Sequence, residues 1–503
     1  MKTKFTGTKN YLLPLLAILI IFNSCKKDRK ADEIIKPDLV FTALTNTGQL
    51  LTYNAKDITS STGTISISGL QSGETLLAID YRPATGQLYG LGSTNRIYVI
   101  SAVGKATAIG ASAFSPALSG NIVGFDFNPT VDRIRVVTST GQNLRINPET
   151  GAVLAVDGSI NGAASAAISG AAYINNKAGA STTTLFDIDV ATKKLYKQDP
   201  PNNGSLVEVG SLNIMETGSE SAFDISPAGI ALASLSSGST SSLYQVNLET
   251  GAATNLGKFT NNIIGLAIPT EPVAYAVDES NNLIIFNPVK TEQISKPITG
   301  LQTAETIHGI DFRPANGQLY ALGSSSRLYT INLSSGAATP VGITPLLPIL
   351  SGTSFGFDFN PQVDRIRVVS NIGQNLRLDP NTGLVVATDG SLNPGSPTIS
   401  GSAYTNNFPG TLTTVLFGID YSTDKLYRQD PPNSGTLVEI GALGVNTDAF
   451  SGFDIGGTSG TAYAMLTSGT TTRLYTINLT TGMATAGIEF NRQVKGFAIG
   501  LGF

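Results

Sequence analysis

Tryptophan is absent from the chain, and histidine (His308) and cysteine (Cys25) each occur once in 503 residues. A His/Cys zinc cluster, a CxxC redox pair and an internal disulfide are excluded, because each needs at least two such side chains. A lone histidine at position 308 also leaves no Ser-His-Asp triad within the first half. Charged residues are scarce, at 14% of the chain against about 25% in an average globular domain. The 32 basic and 36 acidic side chains give a net charge of −4. No basic excess exists to displace counterions from phosphates, so nucleic acid is not an expected partner. Helical periodicity is missing as well: beyond the N-terminus, apolar residues nowhere recur at i, i+3 and i+4 over a useful length.

What is present begins with a marked N-terminus. Lys2, Lys4 and Lys9 flank an apolar run at 11–22 (YLLPLLAILIIF). The run is too short for a bilayer span, which takes about 20 residues, but it suits a signal-peptide core. It ends in Phe22-Asn23-Ser24-Cys25, which resembles a bacterial lipoprotein signal, in particular those of Bacteroidetes lipoproteins. That resemblance implies cleavage before Cys25 and lipidation of its thiol; an ordinary secretory signal is the alternative. Residues 1–24 are thus expected to be a signal peptide. Residues 25–38, charged and without apolar period, are expected to be a flexible tether. The expected location is exported, at the outer membrane or cell surface or on the periplasmic face, with the lipid as the membrane contact.

The remainder is a tandem duplication. Residues 80–92 (DYRPATGQLYGLG) return at 311–323 (DFRPANGQLYALG), and 124–137 (GFDFNPTVDRIRVV) return at 356–369 (GFDFNPQVDRIRVV). GQNLR at 141–145 recurs at 373–377, and QDPPN at 198–202 recurs at 429–433. The copies are expected to occupy 39–269 and 272–503. Within each runs a shorter period of about 40 residues, made of four short alternating or β-branched apolar segments punctuated by Pro, Asn-Gly, Thr-Gly or Ser-Gly. Such a period is a sign of propeller blades.

Full units are expected at 76–110, 121–158, 168–211 and 219–258. Residues 39–68 supply three more strands and 263–269 a fourth, so the two ends of the copy are expected to complete a fifth unit. Residues 272–300 and 494–500 do the same in the second copy. The expected fold class is all-β: two tandem β-propellers of five four-stranded blades, each closed by its own N- and C-terminal strands. A single ten-bladed wheel is the alternative. The strings FDFNP, VDRIRVV, GQNLR and QDPPN resemble the bacterial family called domain of unknown function 4394, over nearly the whole of both copies. This resemblance implies an exported, propeller-like fold and brings no assigned activity.

Candidate chemistry concentrates on one unit of each copy. Asp126 sits on an inner strand, Arg133 and Arg135 alternate on the next, and Asn143 and Arg145 alternate on the third. The second copy offers Asp358, Arg365, Arg367, Asn375 and Arg377. Three arginines on one face could grip a carboxylate, sulfate or sugar acid through bidentate bonds. The preferred reading is an Arg–Asp ladder satisfied within the protein. No catalytic residue is assigned.

The inner-strand acids Asp80, Asp126, Asp224, Asp311, Asp358 and Asp454 could surround a central channel, where calcium, with its six to eight oxygen ligands, is the ion they would suit. No 12-residue calcium-loop spacing supports that, so turn capping or pairing with the arginine of the same unit is expected, with no cofactor and no metal. His308, without a counterpart in the first copy, reads as a surface or filler residue. The function expected is a non-catalytic, lipid-anchored envelope protein presenting a propeller surface to a glycan or envelope protein. Aromatic content of 7% argues against a sugar platform of stacked rings. A carboxylate- or metal-dependent enzyme (a lactonase, or a glycan lyase or hydrolase) and a ligand-free spacer are the alternatives.

Overall fold

The computed structural model describes residues 1–4, 6–7, 34–215, 218, 221–238 and 240–503. Cys25 and the apolar run before it lie outside the described residues. Lys36–Phe503 form one compact unit. Its described residues hold 40 strands in ten four-stranded antiparallel sheets, with two single-turn 3-10 helices, Pro201–Asn203 and Pro432–Ser434. Among the described residues no helix is long and apolar enough to cross a membrane.

Eight of the sheets are continuous in sequence and run from inside to outside in chain order. Val123–Asn128, Arg133–Thr138, Asn143–Ile146 and Val153–Val156 make one of them. Its inner strand (VGFDFN) is buried almost throughout, whereas its outermost (VLAV) alternates between half-buried and exposed. Strands covered on both faces tolerate continuous apolar and small residues, and edge strands need only every second one. The turns between strands fall at the predicted punctuation, for example Gly86 (φ 71°) and Gly151 (φ 69°), each after a threonine, where a side chain would be strained.

Two sheets are composite. Val40–Thr45, Gln49–Asn54 and Gly63–Ser66 are completed by Ile263–Ala267, with Ala43 opposite Leu266 and Leu44 opposite Gly265. Ala274–Asp278, Asn282–Phe286 and Gln293–Pro297 are completed by Val494–Ile499, with Ala276 opposite Phe497. Residues 263–287 therefore divide between two sheets instead of running on as one. The late strand covers an inner edge that would otherwise expose unpaired amides.

The inner strands adjoin in a fixed succession. Leu76–Tyr81 lies between Ile263–Ala267 and Val123–Asn128; Ile168–Tyr173 follows Val123–Asn128, and Ser221–Ile225 lies between Ile168–Tyr173 and Ile263–Ala267. The second copy repeats this with Ile307–Arg313, Phe355–Asn360, Ile399–Tyr404, Ser451–Ile455 and Val494–Ile499. Approach is close enough to demand glycine: a Cβ on Gly124 would meet the Ala171 Cβ at 2.5 Å, and one on Gly452 the Phe497 Cβ at 2.4 Å. In each copy all five inner strands line one small hollow.

The core lies between neighbouring sheets. Tyr89, Leu91, Phe125, Phe127 and Ile134 form one such layer, with the Tyr89 and Phe127 rings edge to face at 5.1 Å; Tyr320 and Phe359 repeat the contact at 5.1 Å. Each buried side chain of this size contributes about 1.5–3 kcal/mol. The two copies also bond to each other: Tyr275 OH donates to the Ala84 carbonyl (2.8 Å), Arg82 to the Gly317 carbonyl (3.0 Å) and the Gly502 amide to the Thr85 carbonyl (2.8 Å).

Candidate functional site

Polar or concave features include an arginine network, a set of inner-strand carboxyls, a cleft between the copies, and a larger hollow of about 590 Å³ lined by Lys177, Glu271 and Lys290. In the arginine network, Arg135 lies opposite Arg145 across the Arg133–Thr138 and Asn143–Ile146 pair. Its guanidinium donates to Asn143 Oδ1, Asp157 Oδ2 and Asn202 Oδ1, each at 2.7 Å, and to the Tyr173 hydroxyl at 3.2 Å. Arg145 makes a bidentate pair with Asp157 at 2.8 and 2.9 Å. Asn143 Nδ2 donates to the Gly158 and Pro201 carbonyls. Arg367, Arg377, Asn375, Asp389, Asn433 and Tyr404 reproduce these bonds in the second copy. Burial pushes the Asp157 carboxyl up, but the bonds from Arg145 and Arg135 outweigh it and hold the pKa below the ordinary aspartate value.

Two members expected in that network are elsewhere. Asp126 stands directly opposite Arg135 in the strand register, yet its Oδ1 accepts the Tyr173 amide at 3.2 Å and makes no bond to the arginine. Asp358 likewise accepts the Tyr404 amide. Inner strands press so closely that the nearest donor for the short aspartate side chain is the neighbouring backbone amide, while the longer arginine reaches outward past it. Arg133 and Arg365, at the starts of their strands, turn back to the carbonyls of Asp132 and Asp364 at 2.7 and 2.8 Å.

The inner-strand acids converge instead on one another. One carboxylate oxygen each from Asp80, Asp126 and Asp224 lies within 4.8 Å of the others, and Asp311, Asp358 and Asp454 do the same. All six residues are at most 1% exposed. The expected pairing of each with its unit's arginine does not occur; each bonds the backbone of the adjoining strand. Asp80 Oδ2 accepts the Phe127 amide (2.9 Å) and Asp224 Oδ2 the Ile268 amide (2.5 Å). Burial, and then repulsion from neighbouring carboxyls, pushes Asp80 and Asp126 well above the ordinary value; burial alone carries Asp224 up to about 7. Asp187, on a second strand, has both oxygens buried without a partner, and burial pushes its pKa up to about 8. Gly418 holds the matching place in the second copy.

The cleft has a volume of about 370 Å³. Thr42, Leu50, Ile65, Tyr81, Val99 and Ser101 line it from the first copy, and Phe408, Pro409, Thr458 and Leu501 from the second. Its polar groups include the hydrogen-bonded Thr42 Oγ1 and Tyr81 hydroxyl (3.0 Å) and Gln87, whose Oε1 is buried without a partner. His308 is remote from these residues in kind: half-buried, it packs on the Phe355 ring at 4.9 Å, and burial, with Lys495 nearby, lowers its pKa.

The family described as domain of unknown function (DUF4394) matches residues 49–267 and again 282–498. The chain belongs to this family. Among solved structures it is similar to PorZ, a bacterial surface component of the type-IX secretion system of Porphyromonas gingivalis, at 13% identity and a TM-score of 0.26, covering 88% of this chain and 64% of that one. It is similar also to the extracellular domain of the putative hybrid two-component system BT3049 from B. thetaiotaomicron, at 11% identity and a TM-score of 0.26, covering 91% of this chain and 65% of that one. The chain thus spans just under two thirds of the length of either. No curated protein matches it.

In this DUF4394 chain the repeated strings have separable duties. FDFNP places Asp126 and Asp358 among the inner carboxyls, VDRIRVV supplies Arg135 and Arg367, GQNLR supplies their asparagine and second arginine, and QDPPN folds into the 3-10 turn whose Asn202 or Asn433 completes the network. Sequence reading missed Arg82. That residue is fully buried, pairs with Asp132 and with Glu149 (3.1 Å), and reaches across to the second copy. Its signal was its place in a repeated string, DYRPATGQLYGLG.

Proposed function

We propose that this DUF4394 protein is an exported, lipid-anchored, non-catalytic binding protein of the cell envelope, built as two five-bladed β-propellers, whose ligand is a small, largely apolar molecule held between them. The propeller reading is supported by the succession of inner strands in each copy, each flanked by two others, and by the composite sheets that join first and last segments. Export and anchoring rest on residues 11–25 of the sequence. The observation that carries the binding reading is the cleft, whose volume of about 370 Å³ falls within the range of about 300–1,000 Å³ usual for small-molecule sites. Arg135, Arg145 and their copies, the groups best suited to gripping an anion, spend their donors on the protein itself.

Native mass spectrometry of protein extracted from envelopes tests the binding claim. The expected result is a retained small molecule that is lost in Ser101→Trp, whose indole fills the cleft, while the melting temperature stays within a few degrees of the parent. Equal retention in the variant places the ligand elsewhere and overturns the reading. The anchor is tested separately: an alkyne-tagged fatty acid should label the protein and fail to label Cys25→Ala.

A further inference from the structure

The set of three buried carboxyls in each copy is chemically incomplete. Five of the six oxygens in the first set accept backbone amides: Asp80 from Tyr81 and Phe127, Asp126 from Tyr173, and Asp224 from Ile225 and Ile268. The sixth, Asp126 Oδ2, is buried with no hydrogen-bond partner. The second set is the same in every bond. Asp311 accepts Phe312 and Phe359, Asp358 accepts Tyr404, Asp454 accepts Ile455 and Ile499, and Asp358 Oδ2 is left over.

Amides on both oxygens are the arrangement that favours an ionised carboxylate. Negative charge packed this tightly away from water is strongly unfavourable unless protons or a cation neutralise it; without an ion the carboxyls retain protons, which a bound cation would displace. Among the described residues no side chain is bonded to these carboxyls as a counter-charge. The neighbouring arginines Arg82, Arg135, Arg313 and Arg367 all pair with carboxylates outside the two sets. An oxygen-seeking ion supplies what is lacking. Calcium binds carboxylate oxygens at about 2.3–2.6 Å, so two oxygens on one ion lie no more than about 5 Å apart. The oxygens here are within 4.8 Å of one another.

The hollow lined by all five inner strands includes Ile79, Phe125 and Phe223 in the first copy, the residues immediately before Asp80, Asp126 and Asp224. In the second it includes Ile310, Phe357 and Phe453, immediately before Asp311, Asp358 and Asp454. The hollow therefore lies beside the strand positions that carry the carboxyls in both copies.

We propose that each copy binds one calcium-like divalent cation, held by Asp80, Asp126 and Asp224 in the first and by Asp311, Asp358 and Asp454 in the second, with Asp126 Oδ2 and Asp358 Oδ2 as the oxygens reserved for it. The claim is independent of the cleft and of the lipid anchor.

The test is the calcium stoichiometry of the full chain after treatment with a chelator, by equilibrium dialysis and by calorimetric titration with calcium chloride. Two ions per chain are expected. Asp126→Asn and Asp358→Asn, which keep the Oδ1 acceptor and the side-chain volume, should each leave one ion, and the double variant none. Millimolar calcium should raise the melting temperature of the parent by several degrees and leave the double variant unmoved. Asp187→Asn, outside both sets, should keep two ions. No ion on the folded parent, or two on the folded double variant, overturns the proposal. A single ion on the parent overturns it for the copy whose substitution leaves that ion in place. Should the substituted chains not fold, crystals of the parent soaked in manganese answer the same question: anomalous peaks at both sets are expected, and their absence refutes the claim.

Discussion

Arg135 and Arg145 share one carboxylate, Asp157, but in unequal surroundings. The Arg135 side chain is 2% exposed and that of Arg145 36%. Truncating a buried ion-pair partner costs about 3–5 kcal/mol, because the charge left behind is uncompensated, whereas an exposed pair is worth about 1 kcal/mol or less. Arg135→Ala should therefore lower the urea midpoint several times more than Arg145→Ala, and Arg367→Ala should outweigh Arg377→Ala in the same way. Two aspartates of the same copy give opposite dependences on pH. Asp157, held below its unfolded-state value, contributes stability that is complete above about pH 4 and disappears as pH falls through its lowered pKa. Asp187, raised to about 8, costs stability increasingly as pH climbs from the unfolded-state value near 3.8 towards 8, at about 1.4 kcal/mol per pH unit at most. Asp187→Asn should melt with the parent near pH 4, above it by a growing margin up to pH 8, and by a constant margin beyond; a gap that does not change with pH would contradict the assignment.

At the scale of strands and sheets, close approach is the controlling quantity. Gly124→Ala puts a methyl group 2.5 Å from the Ala171 Cβ and 2.6 Å from its backbone nitrogen, where neither atom can withdraw without moving a strand. Overpacking of this kind costs about 1–3 kcal/mol or more, so a melting temperature lowered by several degrees is expected, with Gly63→Ala, where a Cβ would meet nothing closer than 3.5 Å and φ is not positive, as the control. Most strands were legible because each ends at a turn residue and because inner strands carry unbroken apolar runs. The composite sheets were legible through arithmetic on leftovers: three strands without an inner partner at 39–68, and one inner strand without a sheet at 263–269. The side-chain bonding was less so. Asp126 and Arg135 occupy facing positions that would pair in an isolated hairpin. The neighbouring inner strand intervenes with a free amide on Tyr173, and strand spacing between sheets is not written in either local sequence.

For the whole molecule, the two copies are alike in sequence but not in situation. Arg82 and Arg313 occupy the same place in the same repeated string, yet Arg82 is wholly buried and bonds Asp132, Glu149 and the Gly317 carbonyl, while Arg313 is partly exposed and pairs with Asp364. Burial opposes the charge of Arg82, and Asp132 with Glu149 more than restores it. Arg82→Leu should destabilise the protein by about 3–5 kcal/mol, Arg313→Leu by clearly less, as measured by calorimetry. No repeat-by-repeat reading foresees this, since the difference arises where one copy meets the other. The cleft escaped for the same reason.

The joining of Val494–Ile499 to Ala274–Asp278 has a consequence for biogenesis. A chain delivered N-terminus first shows the earlier strand more than two hundred residues ahead of its mate, so this composite sheet lacks its inner strand until residues 494–499 arrive. Non-local pairing of this span is intrinsically slow to form. Products cut short by even a dozen residues keep a bare inner edge, which marks them for proteolysis and sets them apart from finished molecules.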